Sequence, residues 1–248
     1  MNKTQSSAQL KSLAKGQLLG KYDTTVTATL IVGTIFLAIT FIAQFTIDTS
    51  FIGFIFNILI NVLIQLLFGL FQTGTASLYL NIACGHTYSV GDVFSGFKFH
   101  PDKAIQIKFF LVLIAEICLL PAQICFYIYH YSNSVPVFAI SMAVLILGMI
   151  TATVLMLSYS QVFYLLLDFP DYSAWSILKI SKKIMRGHKG RLFYIQVSFL
   201  PWYLLTFFSC GIGLLWIVPY VKATNANFYL DLIQCIQKDT EFETENME

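Results

Sequence analysis

Charge is scarce in this sequence. Only 11% of its 248 residues are Asp, Glu, Lys or Arg, against about 25% in soluble globular domains. That deficit excludes an ordinary water-soluble domain. A basic face interleaved with base-stacking aromatics is missing too, which argues against nucleic-acid binding. Cysteine is sparse: Cys84, Cys118, Cys125, Cys210 and Cys235 form no CxxC pair, so neither a disulfide framework nor a zinc site is expected. Cys84 and His86 lack further ligands at suitable spacing, and no metal or cofactor is predicted. No HExxH, GxSxG or GxxxxGK[ST] occurs, so the expectation is a protein that is not an enzyme. The scattered acids read as caps. Asp102 follows Pro101 at a helix start, and Asp168 and Asp171 flank Pro170 before an N-cap signal.

Hydrophobic residues make up 57% of the chain, with 23 Phe and 13 Tyr lying mostly in apolar runs. A spanning helix needs about 20 apolar residues. Six runs qualify: 25–47, 51–71, 109–127, 137–159, 192–209 and 212–233. The second and fourth continue to Ala83 and Leu167, so those helices are expected to project from the bilayer. The first run is too long for a signal-peptide core. The charges give the orientation. Fourteen of the fifteen Lys and Arg fall before the first span, between the second and third, between the fourth and fifth, or after the last. By the positive-inside rule both termini are then cytoplasmic.

The three cytoplasmic segments that precede the odd-numbered spans each contain an amphipathic pattern. Leu10, Leu13, Ala14 and Leu18 mark the first. Val90, Val93, Phe94 and Phe97 mark the second. Trp175, Leu178 and Ile184 or Met185 mark the third. Such helices are expected to lie in the interface with basic faces toward anionic headgroups. The even-numbered spans end alike, in TASLYLN, SQVFYLLLD and TNANFYLD, which places Tyr79, Tyr164 and Tyr229 in equivalent positions. The fold class read from these patterns is all-α: a polytopic membrane protein with six transmembrane helices in three hairpins, each preceded by a cytoplasmic interfacial amphipathic helix. Residues 1–238 form one domain, with a threefold repeat at 6–83, 89–168 and 172–234. Residues 239–248 read as a disordered acidic tail.

The stretch 181–232 carries a resemblance. Its features are MRGHKGR, a Trp-x-Leu-Leu, a Gly-Ile-Gly turn, a Pro-Tyr and a closing Phe-Tyr; the N-terminal LKSLAKGQLLGKY fits as well. The chain resembles the bacterial integral-membrane family named domain of unknown function 975. More distantly its pattern is similar to the membrane domain of some glycerophosphodiester phosphodiesterases, although their soluble catalytic domain has no counterpart here. The resemblance implies six spans and no established activity.

Two groups of candidate site residues remain. Lys182, Lys183, Arg186, His188, Lys189 and Arg191 gather at the membrane surface and read as lipid-headgroup contacts. Lys222 is the basic residue outside the inner loops. Aligning the three tyrosines puts it level with Gln72 and Leu157, whereas counting from the Gly-Ile-Gly turn puts it only about 15 Å from the outer end. A lysine at the bilayer centre costs roughly 2.5–3.5 kcal/mol. The expected partner is Glu116, with Asn225 and Asn227 completing an intramembrane polar patch. Functionally, the leading expectation is a non-enzymatic accessory or membrane-organising factor. It would contact anionic lipid in the bilayer and a protein partner or a second copy, and no nucleic acid. A small transporter would need intramembrane polar residues converging on one cavity. A lipid-modifying enzyme would need acids or histidines clustered near the interface.

Overall fold

The computed structural model describes residues 5–44, 51–209 and 211–245, and the side chains of these apart from Gln44 and 236–245. The described residues form ten α-helices and one 3-10 helix: α1 (Ser7–Leu18), α2 (Tyr22–Gln44), α3 (Phe51–Cys84), the 3-10 helix Val90–Phe97, α4 (Pro101–Ser132), α5 (Val135–Ser158), α6 (Val162–Asp168), α7 (Ala174–Ile184), α8 (Lys189–Val197), α9 (Leu200–Phe208) and α10 (Leu214–Glu245). Four helical stretches are long and apolar enough to cross a membrane: Tyr22–Ala43, Phe51–Cys84, Pro101–Ser132 and Val135–Asp168, the last interrupted by a turn at 159–161. The connection expected around Asp48 and the end of the first expected span lie outside the described residues. α10 runs to Glu245, into the segment read as a tail.

The fifth apolar run does not form one helix. α8 ends at Val197 and α9 starts at Leu200, with Pro201 in its first turn. Proline lacks the N–H that would continue the ladder and clashes with the preceding turn, so the chain breaks there. Pro121 and Pro219 instead sit inside continuous α4 and α10. The Gly-Ile-Gly turn behaves as its sequence predicts, with Gly211 at φ +84°, a conformation open to glycine without steric penalty.

The core lies at the end of the bundle that carries the charged segments. There α1, the 3-10 helix and α7 close over α3, α4, α6 and α10. α1 is fixed at its start by a capping box, the Ser6 hydroxyl accepting from Gln9 N–H and the Gln9 side chain accepting from Ser6 N–H, which satisfies orphan donors of the first turn. Its apolar residues Leu10, Ala14 and Leu18 are fully buried in the protein, and Leu13 alone of the predicted face is exposed. The expectation of an apolar face lying in lipid is therefore corrected for α1. The amphipathic signal is the same whether that face meets acyl chains or a neighbouring helix, and here α10 covers it. The second amphipathic segment is a 3-10 helix whose Val93 is fully buried. It comes so close to α3 that a Cβ on Gly74 would meet Val93 O at 2.0 Å. In α7, Ile177 and Leu178 are buried while Trp175 stays half exposed, edge-on to Phe110 at 5.4 Å.

Candidate functional site

Tyr79, Tyr164 and Tyr229 are all buried in one apolar cluster. Tyr164 and Tyr229 stack with ring centroids 5.2 Å apart, and the Tyr229 hydroxyl donates to Asp168 Oδ2 at 2.5 Å. One helical step outward, two turns along from each tyrosine, lie Gln72, Leu157 and Lys222. These three line a single cavity of about 440 Å³ between α3, α4, α5, α6 and α10. The register set by the tyrosines thus places Lys222 at the level of Gln72 and Leu157.

The partner in that cavity is not Glu116. It is a second lysine, Lys108, which the four-residue helical register of α4 carries inward beside Leu111 and Val112. Lys108 is buried against Gly69, where a Cβ would meet the lysine Cβ at 2.6 Å. Its ammonium donates to Gln72 Oε1 at 3.3 Å. The charge of Lys222 acts on it repulsively, and Lys222 itself has no hydrogen-bond or ion-pair partner among the described residues. Gln65, Gln196, Ser160, Thr153 and Asn225 add amides and hydroxyls, and no Asp, Glu or His lines the space. Asn225 Oδ1 is buried without a partner. An ammonium offers three donors, so this cavity holds two cationic donor groups and several amides with no protein anion to receive them.

Glu116 lies elsewhere. It is eight residues beyond Lys108, about 12 Å along the helix. It accepts from Gln123 Nε2 at 3.1 Å and lines a separate cavity with Asn57, Asn61 and Gln65. The expected Glu116–Lys222 pair does not form among the described residues; matching both residues by depth failed because α4 begins at Pro101 and places Glu116 farther from the charged end. Asn227 also leaves the patch: it exchanges hydrogen bonds with Gln17 at 2.6 and 3.2 Å and so ties α10 to α1. Of the expected patch, Lys222 and Asn225 remain together. The sequence reading overlooked Lys108, taken as a loop charge, and the amides Asn57, Asn61, Gln65 and Gln72. The amides did carry a signal, since their spacing puts them on one face of an otherwise apolar helix.

At the surface, Lys182, Lys183 and Arg186 are exposed and His188 and Lys189 half-exposed, as headgroup contacts would require. Arg191 is not available for that role. Its guanidinium pairs with Asp231 at 2.6 Å, donates to Gln5 O at 2.6 Å and lies 5.1 Å from the Phe228 ring centroid. Lys11 is likewise engaged, donating to Ser198 Oγ over the Phe199 ring, and burial holds its pKa below the usual lysine value. A further cavity at this end is lined by Cys84, His86, His100 and Asp168. No side-chain hydrogen bond joins these four among the described residues, and the Asp168 carboxylate is occupied by Tyr229.

A family model described as "Protein of unknown function (DUF975)" matches residues 1–235. The chain belongs to that family. The DUF975 match runs from the N-terminus through most of α10 and so includes every residue of the Lys108–Lys222 cavity. No curated protein and no solved structure matches the chain.

Proposed function

We propose that this DUF975 protein is a non-enzymatic, multi-pass protein of the bacterial cell membrane that binds an anionic ligand inside its helix bundle. The observation that carries the reading is the pairing of Lys108 and Lys222 on one amide-rich cavity without a carboxylate. Ionisable side chains within spanning segments are expensive and mark functional sites by default. An anion held there would receive charge-assisted hydrogen bonds, roughly twice as strong as neutral ones. In this reading the chain makes six passes with both termini cytoplasmic, α8 and α9 together forming the fifth, and is built as three copies of one unit. The charge split between loops supports the orientation, and the convergence of Tyr79, Tyr164 and Tyr229 supports the repeat. In cells, with the native cysteines replaced, an external thiol reagent should label a cysteine at 134 and not one at 95; the reverse pattern would invert the topology.

The binding test uses the purified protein in neutral detergent. Phosphatidylglycerol should raise its melting temperature and phosphatidylcholine should not. A ligand at about 100 times its Kd adds about 2.7 kcal/mol. Lys108→Gln with Lys222→Gln should remove the difference between the two lipids. Equal responses in wild type and double variant would assign the effect to surface lysines and end the reading.

A specific observation favours transport as the second reading. Gln65 lines both the Lys108–Lys222 cavity and the Glu116 cavity. With Asn57, Asn61 and Gln72 it extends one polar stripe of α3 over about 22 Å, most of a roughly 30 Å hydrocarbon core. In proteoliposomes, wild type should speed exchange of a fluorescent anionic lipid between leaflets relative to Asn61→Leu/Gln65→Leu. Rates equal to those of protein-free liposomes would reject transport of lipid.

A further inference from the structure

Lys222 and Gln72 belong to two cavities at once. Besides the cationic one, they help to line a second of about 370 Å³ between α2, α3 and α10. Both volumes fall in the range of small-molecule sites. The chemistry of the second is opposite to the first. Its walls are Ala28, Val32 and Leu37 of α2, Phe68 of α3, and Leu215 and Val218 of α10. Two of its three threonines add little polarity: Thr29 and Thr75 turn their hydroxyls back to Thr25 O and Phe71 O, at 2.8 and 2.7 Å, and Thr34 is the third. The stripes that build it are regular. Leu215, Val218 and Lys222 follow helical spacing on α10, as do Phe68 and Gln72 on α3, so on each helix an apolar side chain is followed by a polar group at the junction.

An apolar slot that shares Lys222 and Gln72 with an amide-lined chamber holding two lysines matches a ligand with an acyl chain and an anionic head. We propose that the two cavities form one bipartite site for an anionic phospholipid, with its phosphate between Lys108 and Lys222 and one acyl chain in the slot between α2, α3 and α10. This rests on the anion-binding reading above and names its ligand class. The free phosphate chemistry could also come from a soluble ester. What favours the lipid is adjacency: Lys222, one of the two lysines that would hold the phosphate, also lines the apolar slot, as does Gln72. Lys222 does both, its alkyl stem lying along apolar side chains as long basic residues do.

The experiment compares three probes on the full-length protein in neutral detergent, with apparent affinity read from thermal stabilisation: dioleoylphosphatidylglycerol, dioleoylphosphatidylcholine and glycerol 3-phosphate. Phosphatidylglycerol should bind more than about tenfold tighter than either of the others, since one adds the charge and the other lacks the chain. Val218→Trp, which fills the slot, should reduce phosphatidylglycerol affinity to that of glycerol 3-phosphate and leave the latter unchanged. Lys108→Gln with Lys222→Gln should erase the preference for phosphatidylglycerol over phosphatidylcholine. If Val218→Trp fails to give a monodisperse, helical protein, Val32→Phe from the opposite wall takes its place. Unchanged phosphatidylglycerol affinity in the slot variant, together with loss in the lysine variant, would overturn the bipartite site and leave anion binding standing. Unchanged affinity in the lysine variant would overturn both.

Discussion

α3 is apolar on most of its surface along its whole length, yet its two halves are packed differently. Nine of its eleven buried residues lie between Gly69 and Ile82, whereas between Phe51 and Leu63 only Gly53 is buried. α4 repeats the contrast, with Ala104, Ile107, Lys108, Leu111 and Val112 buried near its start and Ala122 alone beyond them. The far halves expose large apolar side chains: Leu37, Ile117, Leu147, Phe207 and Phe208 are more than half accessible. The difference fits two solvents. Near the charged segments water drives burial of apolar surface. Farther along, lipid tails are as apolar as leucine and supply no such drive, so helices associate there through close backbone approach and polar contacts. The α4–α5 pair shows the second mode, since a Cβ on Gly148 would meet Cys118 O at 2.5 Å.

Substitutions placed in the two halves should separate these modes, with unfolding in detergent as the measurement. The largest effect belongs to the packed end. Asp231→Ala leaves the Arg191 guanidinium without its carboxylate and should cost roughly 3–5 kcal/mol, while Glu116→Gln in the far half, where the carboxylate meets only Gln123 among the described residues, should cost far less. Comparable losses would mean that Glu116 has a second, stabilising partner. Next, Ile107→Ala should cost about 2–5 kcal/mol as a cavity in a tight core, against little change for Leu147→Ala. Gly74→Ala should follow at about 1–3 kcal/mol, because the added methyl meets backbone rather than a movable side chain. Gly33→Ala, with nothing within 4 Å, should instead stabilise α2 by roughly 0.5–1 kcal/mol. A destabilised Gly33→Ala would show that α2 packs more closely than its exposure indicates. Tyr229→Phe, which removes a hydrogen bond to the Asp168 carboxylate, should cost about 1.5–3 kcal/mol, close to Gly74→Ala. No change at all would make the Tyr229–Asp168 contact a surface one.

How legible was this in the sequence? Composition and apolar run length gave the helical class, the extension of α3 to Cys84 and the turn at Gly211. The tyrosine register grouped Lys222 with Gln72 and Leu157, and these three line one cavity. Lys108 escaped because hydropathy ends a span at the last charge, whereas the helix begins at Pro101 and carries that charge inward. Arg191 escaped for a related reason: a basic cluster next to a span predicts a surface, yet an acid forty residues on, Asp231, draws one member inside. The break between α8 and α9 was signalled by Pro201, but the same signal at Pro121 and Pro219 left helices continuous. A proline marks a weak point, and neighbouring packing decides whether it yields.

The N-terminal seam has a consequence in time. Gln5 N–H donates to Asp231, 226 residues away, and Arg191 closes the same knot. α1 leaves the ribosome long before α10, which covers Leu10. At about 5–20 residues per second that interval is roughly 10–45 s. Throughout it the side of α1 that α10 covers is bare, although α3 is already available to Ala14 and Leu18. A ribosome stalled before Asp231 should therefore leave α1 more exposed to protease at its lysines than the finished protein does.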